Sequence, residues 1–293
     1  MIAFEQYLRD KKKIVEDRMI NYLNGLNAPA TLKESMLYSI SAGGKRLRPI
    51  LALAVVESFQ KDPQTVLDAA CAIEFVHTYS LIHDDLPSMD NDDYRRGKPT
   101  SHKVFGEAQA ILAGDALLTE SIALITDNKY LDADQKVRLL SVLSRAAGAE
   151  GMVGGQVEDL EGENKDLSFK DLESIHEKKT GKMLECSVLS GGIAAGASEE
   201  ELLSLQLYAQ HIGIAFQIQD DILDITGSQA QLGKPIGSDE ANHKTTYPKL
   251  LGLEGAQKEM ENHIEISLEH LGKINRNTGI LASIADYIIK RNH

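Results

Sequence analysis

Two apolar runs in this 293-residue chain each close on paired aspartates, Asp84-Asp85 and Asp220-Asp221, nearly half the chain apart. Around Asp84 the crowding is extreme: Asp84, Asp85, Asp90, Asp92 and Asp93 fall within ten positions, followed directly by Arg95-Arg96-Gly97. Carboxylates packed this densely raise one another's pKa unless a cation sits among them. A fold must therefore bring the two apolar segments inside while letting both acidic ends open onto one polar space. Two facing helices that wall a central cavity meet that demand. Nowhere does a β-branched run alternate with polar residues at period two, which leaves little for a sheet. With no linker, low-complexity tract or short repeat, residues 1–293 read as a single all-α domain of ten or so helices.

Cap and breaker signals place the elements. An amphipathic segment over 4–24 stops at Ala28-Pro29-Ala30, and Thr31 with Glu34 three residues later reads as a capping box. Gly43-Gly44 ends that second helix, and Pro49 opens an apolar one from Ile50 to Phe59. Asp62-Pro63 starts a long helix from Gln64 to about Asp85. Further helices are expected over Glu107–Leu124 and Val137–Ala147, the latter capped by Asp132 and Gln135. Gly154-Gly155-Gln156 punctuates a helix whose polar face holds Glu158 and Asp159. Ser168 with Asp171 caps the segment through Lys182 to Leu189, which Gly191-Gly192 interrupts. Ser198 with Glu201 caps Leu202–Ile225, Leu232–Tyr247 reads as a loop, and helices near 254–271 and 278–290 finish the chain.

Composition removes several classes of function. A net charge of −13 argues against nucleic acid, whose phosphates are bound by surplus Lys and Arg. The two cysteines, Cys71 and Cys186, both lie in apolar helical contexts and suggest no disulfide framework, as in a reducing cytoplasm. No apolar leader opens the chain and no stretch of about 18 uninterrupted apolar residues occurs, so no membrane span is expected.

The acidic clusters have the chemistry of a hard-cation site, since Mg²⁺ takes one or two protein carboxylates and completes its shell with water and substrate phosphate. Asp220 and Asp224 are four apart and share a helix face, with Gln217 a turn earlier on it. Asp84 and Asp90 are six apart and would lie on opposite sides of a continuous helix. The helix must therefore stop near Asp85, which Pro87 favours, so that Asp90 returns on an irregular turn. Cations are grouped too: Lys45, Arg46 and Arg48 after the glycine pair, Arg95-Arg96, Lys178-Lys179-Thr180-Gly181 interrupting a helical segment, and Lys234 and Lys244 in the late loop. Such sets suit phosphate oxygens and suggest a site for two polyanionic groups. His77, two turns before Asp84, reads on spacing alone as a core histidine.

Taken together, these motifs resemble those of the trans-isoprenyl diphosphate synthases, most closely the bacterial-type farnesyl diphosphate branch. The likeness runs from Gly43-Gly44-Lys45-Arg46-Leu47-Arg48-Pro49 through Asp84-Asp85, Asp90, Arg95-Arg96-Gly97, Lys179-Thr180 and Phe216-Gln217 with Asp220-Asp221-Ile222-Leu223-Asp224, to Ile288-Ile289-Lys290-Arg291. It implies an all-α isoprenoid-synthase fold around a deep cavity, usually homodimeric, and a prenyltransferase that joins isopentenyl diphosphate to dimethylallyl diphosphate and then to geranyl diphosphate. It also implies three Mg²⁺ ions, two held by Asp84 and Asp90 and one by Asp220, with Asp85, Asp221 and Asp224 in support. Arg95, Lys179 and Lys234 would grip the allylic diphosphate beside Thr180, Gln217 and Lys244. Lys45, Arg48, His77 and Arg96 would take isopentenyl diphosphate, which reverses the reading of His77.

Tyr79, five residues before Asp84 and about 7.5 Å deeper along the helix, would with Ser80 limit product length. An aromatic at this position, with the two-residue insertion Pro87-Ser88, is similar to the farnesyl-producing members. Geranylgeranyl diphosphate as product is the near alternative. A class I terpene cyclase would not need Lys45, Arg48 and His77, and a non-catalytic partner subunit should have lost an aspartate or Lys179.

Overall fold

The computed structural model describes residues 2–163, 165, 167–227 and 245–290. Helices dominate: α1 (Ile2–Gly25), α2 (Ala30–Ile40), α3 (Leu47–Ser58), α4 (Gln64–Asp84), α5 (Ser101–Phe105), α6 (Glu107–Thr126), α7 (Ala133–Ala147), α8 (Met152–Gly162) and α9 (Phe169–His176). A π-helical turn, Glu177–Gly181, leads into α10 (Lys182–Ala195), followed by α11 (Glu199–Thr226), α12 (Tyr247–Gly272) and α13 (Gly279–Lys290). Between α4 and α5 a two-residue antiparallel hairpin pairs Tyr94 with Pro99 and Arg95 with Lys98. That hairpin is the β structure among the described residues, and the all-α expectation holds around it.

The expected capping boxes at Asp132/Gln135, Ser168/Asp171 and Ser198/Glu201 are all formed, each with reciprocal side-chain and backbone bonds. Thr31 and Glu34 make no such box. Pro29, extended at φ −52°, ψ 137°, is itself the N-cap, so α2 begins at Ala30 and Thr31 already lies in its first turn. The late helix also begins earlier than expected, at Tyr247. Thr246 accepts from Lys249 N, Pro248 sits in the first turn, and Gly252 (φ 71°) kinks the helix without ending it.

Glycine pairs read as interruptions lie inside helices. Gly154 and Gly155 belong to α8, and α10 runs through Gly191-Gly192 to Ala195. The cause at Gly191 is close approach: a Cβ there would stand 2.6 Å from both the Ala52 carbonyl oxygen and Val55 Cβ. Hydrogen alone lets α10 seat on α3.

The core is one cluster of buried side chains that extends from Val15 on α1 to Ile288 on α13. At its centre α4 packs against α3, α6 and α10, while α11 lies along α12 and α10. By length and composition alone α4 and α6 are apolar enough to cross a membrane, although neither is an uninterrupted apolar run. The most apolar part of α4 is 72% buried in this core, whereas that of α6 is only 39% buried. The outer face of α6 leaves Ile111, Leu112, Leu118 and Ile122 exposed.

Gly191→Ala is expected to lower unfolding stability by about 1–3 kcal/mol through overpacking. Gly25→Ala, where a Cβ meets nothing within 4 Å, should change it by less than about 0.5 kcal/mol. Chemical denaturation of the two variants measures the contrast.

Candidate functional site

The end of α4 solves the spacing problem posed by Asp84 and Asp90. The helix stops at Asp84, and the chain folds back so that Asp90 N donates to the Asp84 carbonyl at 2.9 Å. Asp90 thus returns on a turn, as Pro87 suggested. Asp85 points elsewhere: its Oδ1 accepts from Arg95 Nε at 2.7 Å and lies 2.5 Å from Nη2 in the same ion pair. Asp92 lies 3.6 Å from the same guanidinium, and Asp93 pairs with Lys103 at 2.6 Å. These pairs fix the hairpin that carries Arg95 and Arg96.

A cavity of about 670 Å³ lies between α4 and α11. Glu74, His77 and Leu81, spaced three and four apart on α4, share the helix face that lines it. Phe216, Gln217, Asp220 and Asp221 line it from α11, Lys179 and Thr180 from the π-turn, Lys45, Arg46 and Arg48 from the α2–α3 turn, and Arg95 and Arg96 from the hairpin. Nine candidates from separate parts of the chain therefore meet in one space: Lys45, Arg48, His77, Arg95, Arg96, Lys179, Thr180, Gln217 and Asp220. Tyr79 and Ser80 are not among its walls. Tyr79 is buried with its ring edge-on to His83 at 5.6 Å, and the Ser80 hydroxyl donates to the His77 carbonyl at 2.9 Å. Asp224 is buried on α11. Lys234 and Lys244 lie outside the described residues, as do Arg291 and most of the expected 232–247 loop.

The π-turn is what presents Lys179. An extra residue in the helical turn swings Lys178, Lys179 and Thr180 off the register of α9 and α10, a distortion that often marks functional sites. α8 supports it from behind: a Cβ on Gly155 would collide with the Lys179 backbone. Lys179 pairs with Asp159 at 2.6 Å, and Lys178 pairs with Glu158. Gln217 Nε2 lies 3.0 Å from His176 Nδ1. Asp159, His176 and Glu74 are parts of this site that sequence reading did not single out as functional. Asp159 had been placed only on a polar helix face, and no local pattern links it to Lys179, twenty residues on.

The electrostatics fit an anion flanked by metal. Burial holds the Asp84 carboxyl up at about 6, Asp90 and Asp85 adding to it while Lys179 and Arg95 oppose. A carboxyl so raised is poised for a cation. The oxygen donors of Asp84, Asp90 and Asp220 suit a hard ion such as Mg²⁺. On the opposite wall burial pushes His77 well below its usual range, and Arg48, Arg96, Arg46 and Arg95 add to this, so its imidazole is neutral near pH 7. Burial also lowers Arg96 to about 10. Arg48 Nε is buried with no hydrogen-bond partner among the described residues, a donor in the wall of a cationic pocket. The Arg96 guanidinium donates to the Gly43 carbonyl and lies over Gly44, which takes φ +128°.

An all-α chain that brings the Asp220-Asp221 helix end and two sets of cations to one cavity has the architecture of a polyprenyl synthetase. The polyprenyl synthetase family model matches residues 29–284, and the chain belongs to that family. It is 51% identical over 294 residues to the farnesyl diphosphate synthase of Geobacillus stearothermophilus, covering 100% of this chain and 99% of that protein. Identity to the Bacillus subtilis (strain 168) farnesyl diphosphate synthase is 50% over 289 residues, 98% of each chain. The crystal structure of an apo FPP/GFPP synthase from Zymomonas mobilis superposes with a TM-score of 0.87 at 34% identity, covering 98% of this chain and 99% of that one.

The raised Asp84 pKa carries a pH consequence with a definite sign. A folded-state carboxyl pKa above the unfolded value contributes stability at acid pH that is lost as pH rises through about 6. In chelator, wild-type thermal stability should therefore fall relative to Asp84→Asn as pH is raised from about 5 to about 7. Mg²⁺ with inorganic diphosphate should recover it, with affinity climbing over the same interval. Thermal melts across that pH range read both effects.

Proposed function

We propose that this chain, acting as one synthase domain, makes farnesyl diphosphate. It would condense isopentenyl diphosphate head to tail with dimethylallyl diphosphate and then with geranyl diphosphate. The full-length relatives at 51% and 50% identity, each a farnesyl diphosphate synthase, support the product. The observation that carries the reaction is the convergence on a single cavity of two cationic sets, Lys45/Arg48/His77/Arg96 and Arg95/Lys179, beside Asp220.

Asp84 and Asp90 would hold two Mg²⁺ ions and Asp220 a third. When bound there, the metal would supply charge neutralisation for the departing diphosphate. Asp85 and Asp221 support the arrangement indirectly. Asp85 fixes Arg95, and Asp221 accepts the Tyr247 N–H at 2.9 Å, anchoring the start of α12 beside the cavity.

The chain's own groups share the remaining work. Lys179, offered on the π-turn and oriented by Asp159, and Arg95, oriented by Asp85, stabilise negative charge as it gathers on the leaving oxygens of the allylic diphosphate. Thr180 and Gln217 stand beside the same space and fix that substrate's head. Lys234 and Lys244 are assigned to this grip from the sequence. Lys45, Arg48, Arg96 and neutral His77 hold isopentenyl diphosphate so that its double bond faces the allylic carbon, turning a bimolecular encounter into an oriented one. Leu81 and Phe216 give the cavity apolar wall between the two heads and keep water from the allylic cation. The proton lost from the new carbon passes to the released diphosphate, the strongest base placed beside it.

The unpartnered outer face of α6 supports a homodimer: Ile111, Leu118 and Ile122 recur at helical spacing and stay exposed together with Leu112. Both cysteines are buried free thiols, which suits a reducing cytoplasm.

The deciding experiment is product analysis after incubation with Mg²⁺, dimethylallyl diphosphate and radiolabelled isopentenyl diphosphate. A dominant C15 alcohol after dephosphorylation is expected. A dominant C20 product would move the stop deeper, and no Mg²⁺-dependent product would overturn the synthase reading in favour of a partner subunit. Lys179→Ala should lower kcat by about 10²-fold or more. Tyr79→Ala should lengthen the product, and an unchanged C15 would make Tyr79 plain core. In analytical ultracentrifugation the unmodified chain should sediment as a dimer, and Leu118→Glu with Ile122→Glu should shift it to monomer.

A further inference from the structure

Among the cations of the α2–α3 turn, Arg46 is held inside the protein by groups from three helices. Its side chain is 1% exposed. Its backbone is left-handed at φ 53°, ψ 32°, a conformation that non-glycine residues rarely adopt, and it forms the N-cap of α3. Its guanidinium is divided among three helices. Nε meets Glu16 on α1 at 3.1 Å, Nη1 meets Glu74 on α4 at 2.7 Å, and Nη2 donates to the Ile40 carbonyl at the end of α2. Glu74 is itself 2% exposed, lies one turn before His77 on α4, and lines the cavity. Lys45 and Arg48 flank Arg46 in sequence and line the same wall.

We infer that the buried Arg46–Glu74 pair is the positioning device of the isopentenyl diphosphate pocket: it holds the left-handed turn and thereby aims Lys45 and Arg48 into the cavity beside His77. This rests on the assignment of Lys45, Arg48, His77 and Arg96 to that substrate. A guanidinium held through each of its three nitrogens by helices on three sides cannot move without shifting the residues around it. Its planar fork is suited to such fixed pairing. Glu74 also offsets the mutual repulsion of the cations before substrate arrives. Burial lowers the pKa of Arg48 and of Arg96, and Glu74 works against that in both.

The two roles open to Glu74 predict opposite signs. If it acted only through its charge, deleting that charge from a diphosphate pocket would tighten anion binding. As a positioning residue its loss weakens binding, because Lys45 and Arg48 lose their aim. Steady-state kinetics with geranyl and isopentenyl diphosphates should be measured for Glu74→Gln, Glu74→Asp and Arg46→Lys, alongside thermal melts. Glu74→Gln and Arg46→Lys are each expected to raise KM for isopentenyl diphosphate about tenfold, the scale of one misaligned charged contact, and to leave KM for geranyl diphosphate within about twofold. Glu74→Asp should recover part of the loss.

A lowered KM for isopentenyl diphosphate in Glu74→Gln would overturn the inference. So would equal shifts in both KM values, or a drop in melting temperature with neither KM changed. Should Arg46→Lys fail to fold, the two Glu74 variants decide alone. Lys45→Ala serves as the separate check on the pocket itself. If it leaves KM for isopentenyl diphosphate unchanged, the substrate assignment fails. If it raises that KM while the Glu74 variants do not, only the positioning role fails.

Discussion

The Nε–H that Arg95 donates to Asp85, within a close ion pair, ties the C-cap of α4 to the hairpin, and the geometry of the cavity depends on that bond. With Asp85 turned aside, α4 ends at Asp84 and the chain folds back to bring Asp90 alongside. The same bond fixes the strand that carries Arg96 to the glycine turn. An ion pair at a helix end thus places an acidic turn and two cavity-lining cations at once. An unpaired carboxylate at Asp85 would be costly at this depth, since an isolated buried charge finds neither water nor counter-ion.

A similar economy recurs on the far side. The π-turn exists where a helix must keep its direction yet offer Lys179 and Thr180 to the cavity, and α8 braces it through Gly155 and Asp159. Cationic groups that line the cavity are each held by an oppositely charged neighbour: Arg95 by Asp85, Lys179 by Asp159. The cations of the pocket are preorganised in this sense, and their positions are set before any anion enters.

Much of this was legible in the chain because it is written locally. Capping boxes need residues three apart, and the break after Asp85 and the disturbance at Lys178–Gly181 announce themselves by proline, glycine and cation pairs. Asp159 and His176 were missed for the opposite reason. Their roles come from facing Lys179 and Gln217 across a helix interface, and no spacing rule connects positions twenty or forty residues apart. Gly191 was misread because a glycine in a helix pattern signals a break when only its own helix is considered. The helix packed on it, α3, supplies the real reason. Thr31 with Glu34 failed differently: a proline immediately upstream captured the cap position first.

α4 is long and apolar enough to be mistaken for a membrane-spanning segment, and one of its main shields, α10, lies about a hundred residues later in the chain. At the ~5–20 residues per second of translation, α4 leaves the ribosome well before that shield exists. Machinery that sorts nascent segments by hydropathy meets it bare. Glu74 sits at the midpoint of the 21-residue helix, where an acidic side chain costs roughly 3 kcal/mol in a bilayer on insertion scales. The carboxylate that steadies a cationic pocket in the finished fold therefore also marks the newborn helix as one to be kept out of the lipid.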